Sequence, residues 1–313
     1  MPRHPHGVTS LAFSLPPEDS MDLSTVTRIT AARHRDDLRA LGPHVAPLAG
    51  GSELFAAPRA DLTGLVDLAA FDWPDLVATP APAGGFDLEI AATCTVAALS
   101  ALPPAPGWTA HALIHQCCTS FYASFKVWNV ATVGGNLATS LPAGPMTALA
   151  VALDADVLIW RGDGRDERVP AARFVTGNMS NVLGATDVIR SVHVSATALG
   201  ARTAHRQIAL SPLGRTGALL VGRLDTDGGF VLTVTGGTLR PVQLRYPRVP
   251  GEAALAADVA AIDCWFTDAH GAADWRRAVS ALLGEEIRRE LQAPPGETGP
   301  KNPADTTTEQ APA

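Results

Sequence analysis

Two glycine pairs hold the residues of this chain best suited to chemistry. Each ends an apolar stretch and leads at once into a small polar residue, in Leu48-Ala49-Gly50-Gly51-Ser52-Glu53-Leu54 and in Ala131-Thr132-Val133-Gly134-Gly135-Asn136-Leu137. Glycine admits positive φ and lets the backbone come close to a ligand. Successive N–H groups in such a turn form a concavity that holds an anion, and Ser52, Thr132 or Asn136 can add side-chain hydrogen bonds. A diphosphate is the natural guest. No P-loop is available for it, because lysine occurs only at Lys126 and Lys301 and neither has the glycine spacing that motif requires. Each pair taken singly reads more readily as a structural turn than as a ligand site, and two alike in one domain shift that reading.

Other reactive residues suggest less. His111 and His115 stand four apart before Cys117 and Cys118, a spacing open to a metal face but, with no acid nearby, better suited to space filling or local hydrogen bonds. Asp225 and Asp227 resemble a calcium loop that is too short and lacks its distant Glu, so a hairpin turn is expected. The four cysteines, Cys94, Cys117, Cys118 and Cys264, form no CxxC pair, which removes the spacing for zinc or an iron–sulfur cluster. Their sparse use fits a reducing cytoplasm. GxGxxG, HExxH and GxSxG are absent from the sequence, and no nucleophile–base pair stands out.

These residues are positioned by a mixed chain of helices and strands. At 313 residues, 46% hydrophobic and 18% charged, the chain has material for two folded domains. A net charge of −7 disfavours a nucleic-acid binder, which needs clustered cations. No apolar run approaches the roughly 20 residues of a membrane span, and the patch Leu11 to Leu15 is too brief for a signal-peptide core. Periodicity predicts a helix over 31–41, strands over 45–49, 65–68 and 88–90, and a helix capped by Thr95 and running to about Leu102. Further helices are expected over 108–122 and 146–153, and strands over 156–160 and 187–194. The runs 217–224 and 230–235 flank Asp225-Thr226-Asp227-Gly228-Gly229 as a hairpin. A closing helix over 274–291 places Trp275, Val279, Leu282, Leu283 and Ile287 on one face. Composition shifts near 199–211, so a larger N-terminal domain (23–199) precedes a smaller one (200–292). The ends, 1–22 and 293–313, read as disordered.

The glycine motifs also carry a resemblance. Ala49 to Leu54 is similar to the Ala-Gly-Gly-Thr-Asp-Leu turn, and Asn129 to Leu137 to the Asn-Val-Ala-Thr-Ile-Gly-Gly-Asn-Leu motif, of the FAD-binding subunits of the molybdenum hydroxylases, the xanthine and carbon monoxide dehydrogenase family. Pro142-Ala143, Ala152 to Ala155 and Arg168 to Phe174 resemble segments that follow in that family. The likeness covers most of 26–194, and it continues more weakly through 232–241 and Trp275-Arg276-Arg277. It implies an α+β fold: a PCMH-type FAD-binding domain of two α/β lobes, then a small α+β C-terminal domain. It also implies FAD held by Leu48, Ala49, Gly50, Gly51, Ser52, Glu53 and Leu54, and by Thr132, Val133, Gly134, Gly135 and Asn136. Tyr122 matches an aromatic position before the second turn, Ile189 an apolar residue beside the flavin, and Arg206 a basic residue of the linker. The implied function is electron transfer, from [2Fe–2S] clusters on a small partner subunit, through FAD, to an acceptor such as NAD or oxygen, with substrate oxidised at molybdopterin on a large subunit. A stand-alone FAD oxidoreductase and a non-catalytic relative without FAD are the alternatives. Two positions depart from the family: Pro145 stands where an Asp is usual, nine residues after Asn136, and Trp128 where an Arg precedes the motif.

Overall fold

The computed structural model of the protein describes residues 23–57, 59–82 and 84–294. The N-terminal extension and, from residue 295, the C-terminal tail lie outside them. Strands β1 (Arg28–Ala31), β2 (Val45–Leu48) and β3 (Gly64–Asp67) form a small parallel sheet in the order β1-β3-β2. The predicted helix over 31–41 is instead the end of β1 followed by a 3-10 turn, Arg35–Ala40. Asp37 stops a longer helix, because its carboxylate accepts the N–H groups of Arg33 and His34 at 2.8 and 2.9 Å, a local bond that competes with helix.

A second sheet is built from β4 (Leu76–Pro80), β5 (Phe86–Ala91), β6 (Asp156–Trp160) and β7 (Asp166–Pro170). After a two-strand ribbon, β8 (Val175–Gly177) with β9 (Ser180–Asn181), β10 (Val188–Val194) enters its centre, giving the antiparallel order β4-β5-β10-β6-β7. The path from β5 to β6 runs through α1 (Val96–Ser100), α2 (His111–Thr119), α3 (Phe125–Trp128), α4 (Val133–Thr139) and α5 (Pro145–Ala152). Thr95 caps α1 as expected, accepting from Ala98 N–H at 3.1 Å. The helix read over 108–122 shrinks to α2. Short helices α6 (Ala171–Phe174) and α7 (Ala196–Leu199) bracket β10.

The remaining chain forms one antiparallel sheet in sequence order, β11 (Arg202–Ala209), β12 (Thr216–Leu224), β13 (Phe230–Thr235) and β14 (Val242–Tyr246), with α8 (Glu252–Ala260) and α9 (Ala273–Gln292). β12 is buried on both faces. Leu219 and Val221 join the N-terminal core, while Ala218 and Leu220 join a second core with Ile287 and Leu291 of α9. Such two-sided burial is why its sequence shows a continuous apolar run. α5 also packs on β12 and β13, and all eight of its residues are buried. The predicted buried face of α9 is rotated: Arg276, Ser280, Gly284, Ile287, Arg288 and Leu291 are buried, whereas Leu282 is 67% exposed.

A hydrogen bond between His205 and Ser120 joins β11 to the end of α2, with Nε2 and Oγ 3.0 Å apart. Ser120 Oγ also lies 3.0 Å from the Gln116 carbonyl oxygen. Burial, with Arg206 beside it, pushes the His205 imidazole down to about 4. A histidine whose folded value lies below the unfolded 6.5 binds fewer protons when folded, so its contribution to stability is whole above pH 6.5 and is lost as the pH falls toward 4. Urea unfolding of wild type and His205→Gln across pH 4–7.5 should therefore show a steeper acid loss in the wild type; parallel curves would contradict this.

Candidate functional site

The two glycine turns meet. A Cβ built on Gly50 would lie 1.6 Å from the Val130 carbonyl oxygen and 3.2 Å from Ala131 Cα, so the first turn rests directly on the backbone that enters the second. No side chain fits between them. Leu48 ends β2, its carbonyl accepting from Leu68 N–H at 2.8 Å, and after Ala49 the chain leaves the sheet. Gly51 takes φ +69°, a left-handed conformation that favours glycine. Its carbonyl accepts from Phe55 N–H at 2.9 Å, closing one helical turn over Ser52, Glu53 and Leu54. A single turn leaves its first N–H groups without acceptors. The N–H groups of Gly51, Ser52, Glu53 and Leu54 indeed have none among the described residues, and Ser52 and Glu53 are exposed. Four consecutive amides without acceptors on one turn are the kind of donors that an anion requires.

The second turn is arranged differently. Thr132 is the N-cap of α4, and the first four N–H groups of that helix are all taken. Val133 donates to Cys94 O and Gly134 to Ala92 O, each at 2.9 Å; Gly135 donates to Thr132 Oγ1 at 3.0 Å and Asn136 to Thr132 O at 2.9 Å. The expected anion concavity is therefore not available at this turn. Val133 and Gly134 are buried, and a Cβ on Gly134 would meet Ala92 Cβ, O and Cα at 2.5, 2.8 and 2.9 Å. Gly134 thus serves helix-on-strand packing. Gly135 is the exception, since a Cβ there would meet only Thr132 Oγ1, at 2.9 Å. A side chain there would crowd the capping oxygen alone, and its absence leaves one flank of α4 bare.

Asn136 caps the next helix, its Oδ1 accepting from Met146 N–H at 3.1 Å. Gly144, the N-cap of α5, has no side chain to do this. Pro145 occupies the first helical position, where its fixed φ is suitable and an N–H is not needed. Trp128 donates from Nε1 to the Phe121 carbonyl at 3.0 Å, tying α3 to the segment that carries Tyr122. Tyr122 is 58% exposed and lines an open cleft of about 560 Å³ with Thr119, Gln207, Leu210 and Ser211.

Two expected site residues are committed to contacts within the fold. Ile189 is buried in the N-terminal core, paired with Ile159 just before a bulge in β10. Arg206 points to α9, where Glu286 and Glu290 accept from its guanidinium at 2.9 and 2.6 Å. Phe55, which follows the first motif, and Val130, which lies within the second, are not among the expected site residues although both lie at the joined turns. Their exposure, 48% and 46%, is the signal, and it is visible only in three dimensions. His111 and His115 bond to the Leu102 carbonyl and the Ser100 hydroxyl, at 2.7 and 2.9 Å. Burial raises the Cys94 and Cys118 thiols to about 12, so neither offers a thiolate.

Residues 24–197 match the model of the FAD binding domain in molybdopterin dehydrogenase. No curated protein matches the sequence. Among solved structures, carbon monoxide dehydrogenase from Oligotropha carboxidovorans is similar at TM-score 0.71 and 21% identity, covering 85% of this chain and 97% of that one. Quinoline 2-oxidoreductase from Pseudomonas putida 86 is similar at TM-score 0.69 and 18% identity, over 85% and 98%. Carbon monoxide dehydrogenase from Hydrogenophaga pseudoflava gives 0.69 and 20%, over 86% and 96%. No helix among the described residues is long and apolar enough to cross a membrane.

Proposed function

This chain belongs to the family of FAD-binding domains of molybdopterin dehydrogenases, and from that membership we propose that it is the electron-transfer subunit of a molybdenum hydroxylase complex. FAD is the cofactor of the family. The observation that carries the proposal is the row of free amides from Gly51 to Leu54, together with the open flank at Gly135 on the helix whose entry Gly50 touches. A dinucleotide needs both: donors for its diphosphate and backbone bare enough for close approach. FAD, when bound, supplies the redox chemistry, and the chain supplies position and electrostatics.

In this reading, Gly51, Ser52, Glu53 and Leu54 hold the diphosphate, while Gly50 fixes the spacing between the turns. Gly135 clears the approach. Thr132 and Asn136 hold the starts of α4 and α5 in place, and with Asn136 capping Met146 the replacement of an acidic residue by Pro145 leaves α5 properly begun. Molybdopterin and the [2Fe–2S] clusters sit on a large and a small partner subunit, and NAD or oxygen takes the electrons. The complex is cytoplasmic. No general acid or base is assigned to this chain, because an electron relay requires none.

Tagged protein expressed together with the genes beside its own tests this. The proposal expects co-purification with molybdenum and iron, and bleaching of the flavin band when the substrate of the complex is added. Protein that stays alone and reduces an acceptor without metal partners would identify a stand-alone oxidoreductase instead. Protein with no flavin band and no uptake of added FAD would identify a relative that has lost the cofactor.

A further inference from the structure

Phe55 is an aromatic side chain that the fold does not use. It belongs to none of the three apolar cores and is 48% exposed. One edge of the ring is nevertheless held: a Cβ on Gly51 would come within 2.4 Å of Phe55 Cε2 and 2.6 Å of Cδ2. The Phe55 N–H closes the turn onto the Gly51 carbonyl, so the ring is carried by the same turn that presents the free amides. Val130, whose carbonyl touches Gly50, adds exposed apolar surface beside it. The turn of free amides thus carries an aromatic surface that is held along one edge at Gly51 and left half exposed among the described residues. A simple inorganic anion would have no use for that surface, whereas a ligand with an aromatic ring joined to its phosphates would.

We propose that Phe55 is the stacking platform for one of the two ring systems joined to the diphosphate, adenine or isoalloxazine; this rests on the reading of the Gly51–Leu54 turn as the diphosphate site. Stacking on an aromatic side chain accepts any planar base and is lost on truncation to alanine, with about 1–3 kcal/mol per base, or roughly 5- to 150-fold in affinity. A merely exposed loop residue, which is common on protein surfaces, would show no such loss.

The test uses calorimetric titration of the full chain, freed of flavin, with FAD, ADP and FMN, in wild type, Phe55→Ala, Phe55→Leu and Phe55→Tyr. Phe55→Ala and Phe55→Leu should weaken FAD roughly tenfold or more, and Phe55→Tyr should stay near wild type. Only one of ADP and FMN should share the loss, and that one names the ring. Melting temperatures of the flavin-free variants should be unchanged, because Phe55 lies in no core. Wild-type affinity in both truncated variants overturns the role of Phe55 alone. Equal loss for ADP and FMN, or loss that Phe55→Tyr does not restore, overturns it too, by showing damage to the turn and not lost stacking. Failure of the wild type to bind FAD overturns the diphosphate reading together with it.

Discussion

Gly135→Val is expected to abolish FAD retention in a protein that remains folded. The valine Cβ would meet one atom, Thr132 Oγ1 at 2.9 Å, so the structural cost is mainly a disturbed N-cap, worth about 1 kcal/mol. The branched side chain would nevertheless fill the open flank of α4 and, in the proposed placement of the cofactor, block the backbone's approach to the diphosphate. Its neighbour provides the contrast. A Cβ on Gly134 meets three atoms of Ala92 within 3.0 Å, two of them backbone, so Gly134→Val forces α4 off β5 and should reduce soluble folded protein outright. Flavin absorbance and circular dichroism of the two variants side by side separate lost binding from lost fold. Full flavin content in folded Gly135→Val would contradict the placement of the cofactor.

Arg223→Met is expected to produce a substantial loss of stability remote from the glycine turns. Arg223 is 4% exposed and links the C-terminal sheet to the end of α5, donating to Ala152 O at 2.7 Å, to Asp225 at 2.8 Å and to Asp154. Asp154 also accepts from Arg245 and, at 3.1 Å, from Gln243. Removing one partner of a buried ion pair leaves the other uncompensated and costs about 3–5 kcal/mol. With Asp154 one-third exposed, a loss of about 2–3 kcal/mol is the reasonable expectation. Burial alone would raise the Asp154 carboxyl, but the hydrogen bonds from Arg245 and Arg223 outweigh it and hold the group below the ordinary carboxylate value. A lowered folded value gives stability that is present above about pH 4 and is lost as the pH falls through it. Urea midpoints at pH 7 and pH 3 should therefore differ more in the wild type than in Arg223→Met. Identical midpoints for the two proteins at pH 7 would show that the contact carries no energy.

Much of the sheet framework was legible in the residues. The strand read at 156–160 is β6 without correction, and the hairpin around Asp225 to Gly229 joins β12 to β13, because alternating or continuous apolar runs bounded by glycine leave few alternatives. α4 was not legible. Two adjacent glycines argue against a helix, and the segment becomes one only because Thr132 caps it while Ala92 and Cys94 accept its leading N–H groups from across the core. β4, β11, β14 and α8 were likewise missed, each a short or mixed segment fixed by its neighbours. At the site, the sequence identified both turns but treated them alike. Their difference lies in where each N–H points, a fact about Cys94 and Ala92, some forty residues away in the chain. Arg206 looked like a cofactor cation because nothing in its own surroundings, His205 and Gln207, announces Glu286 and Glu290 on α9.

The proposed site holds FAD by the amides of the first turn. Amide hydrogen exchange, measured with and without bound FAD, tests it most directly. Gly51 to Leu54 have no acceptor among the described residues in the free chain and should exchange rapidly there, then become strongly protected when FAD binds. Val133 to Asn136, whose N–H groups already have partners, should be slow in both states. Protection confined to the second turn, or bound FAD with no protection at Gly51 to Leu54, would contradict the account.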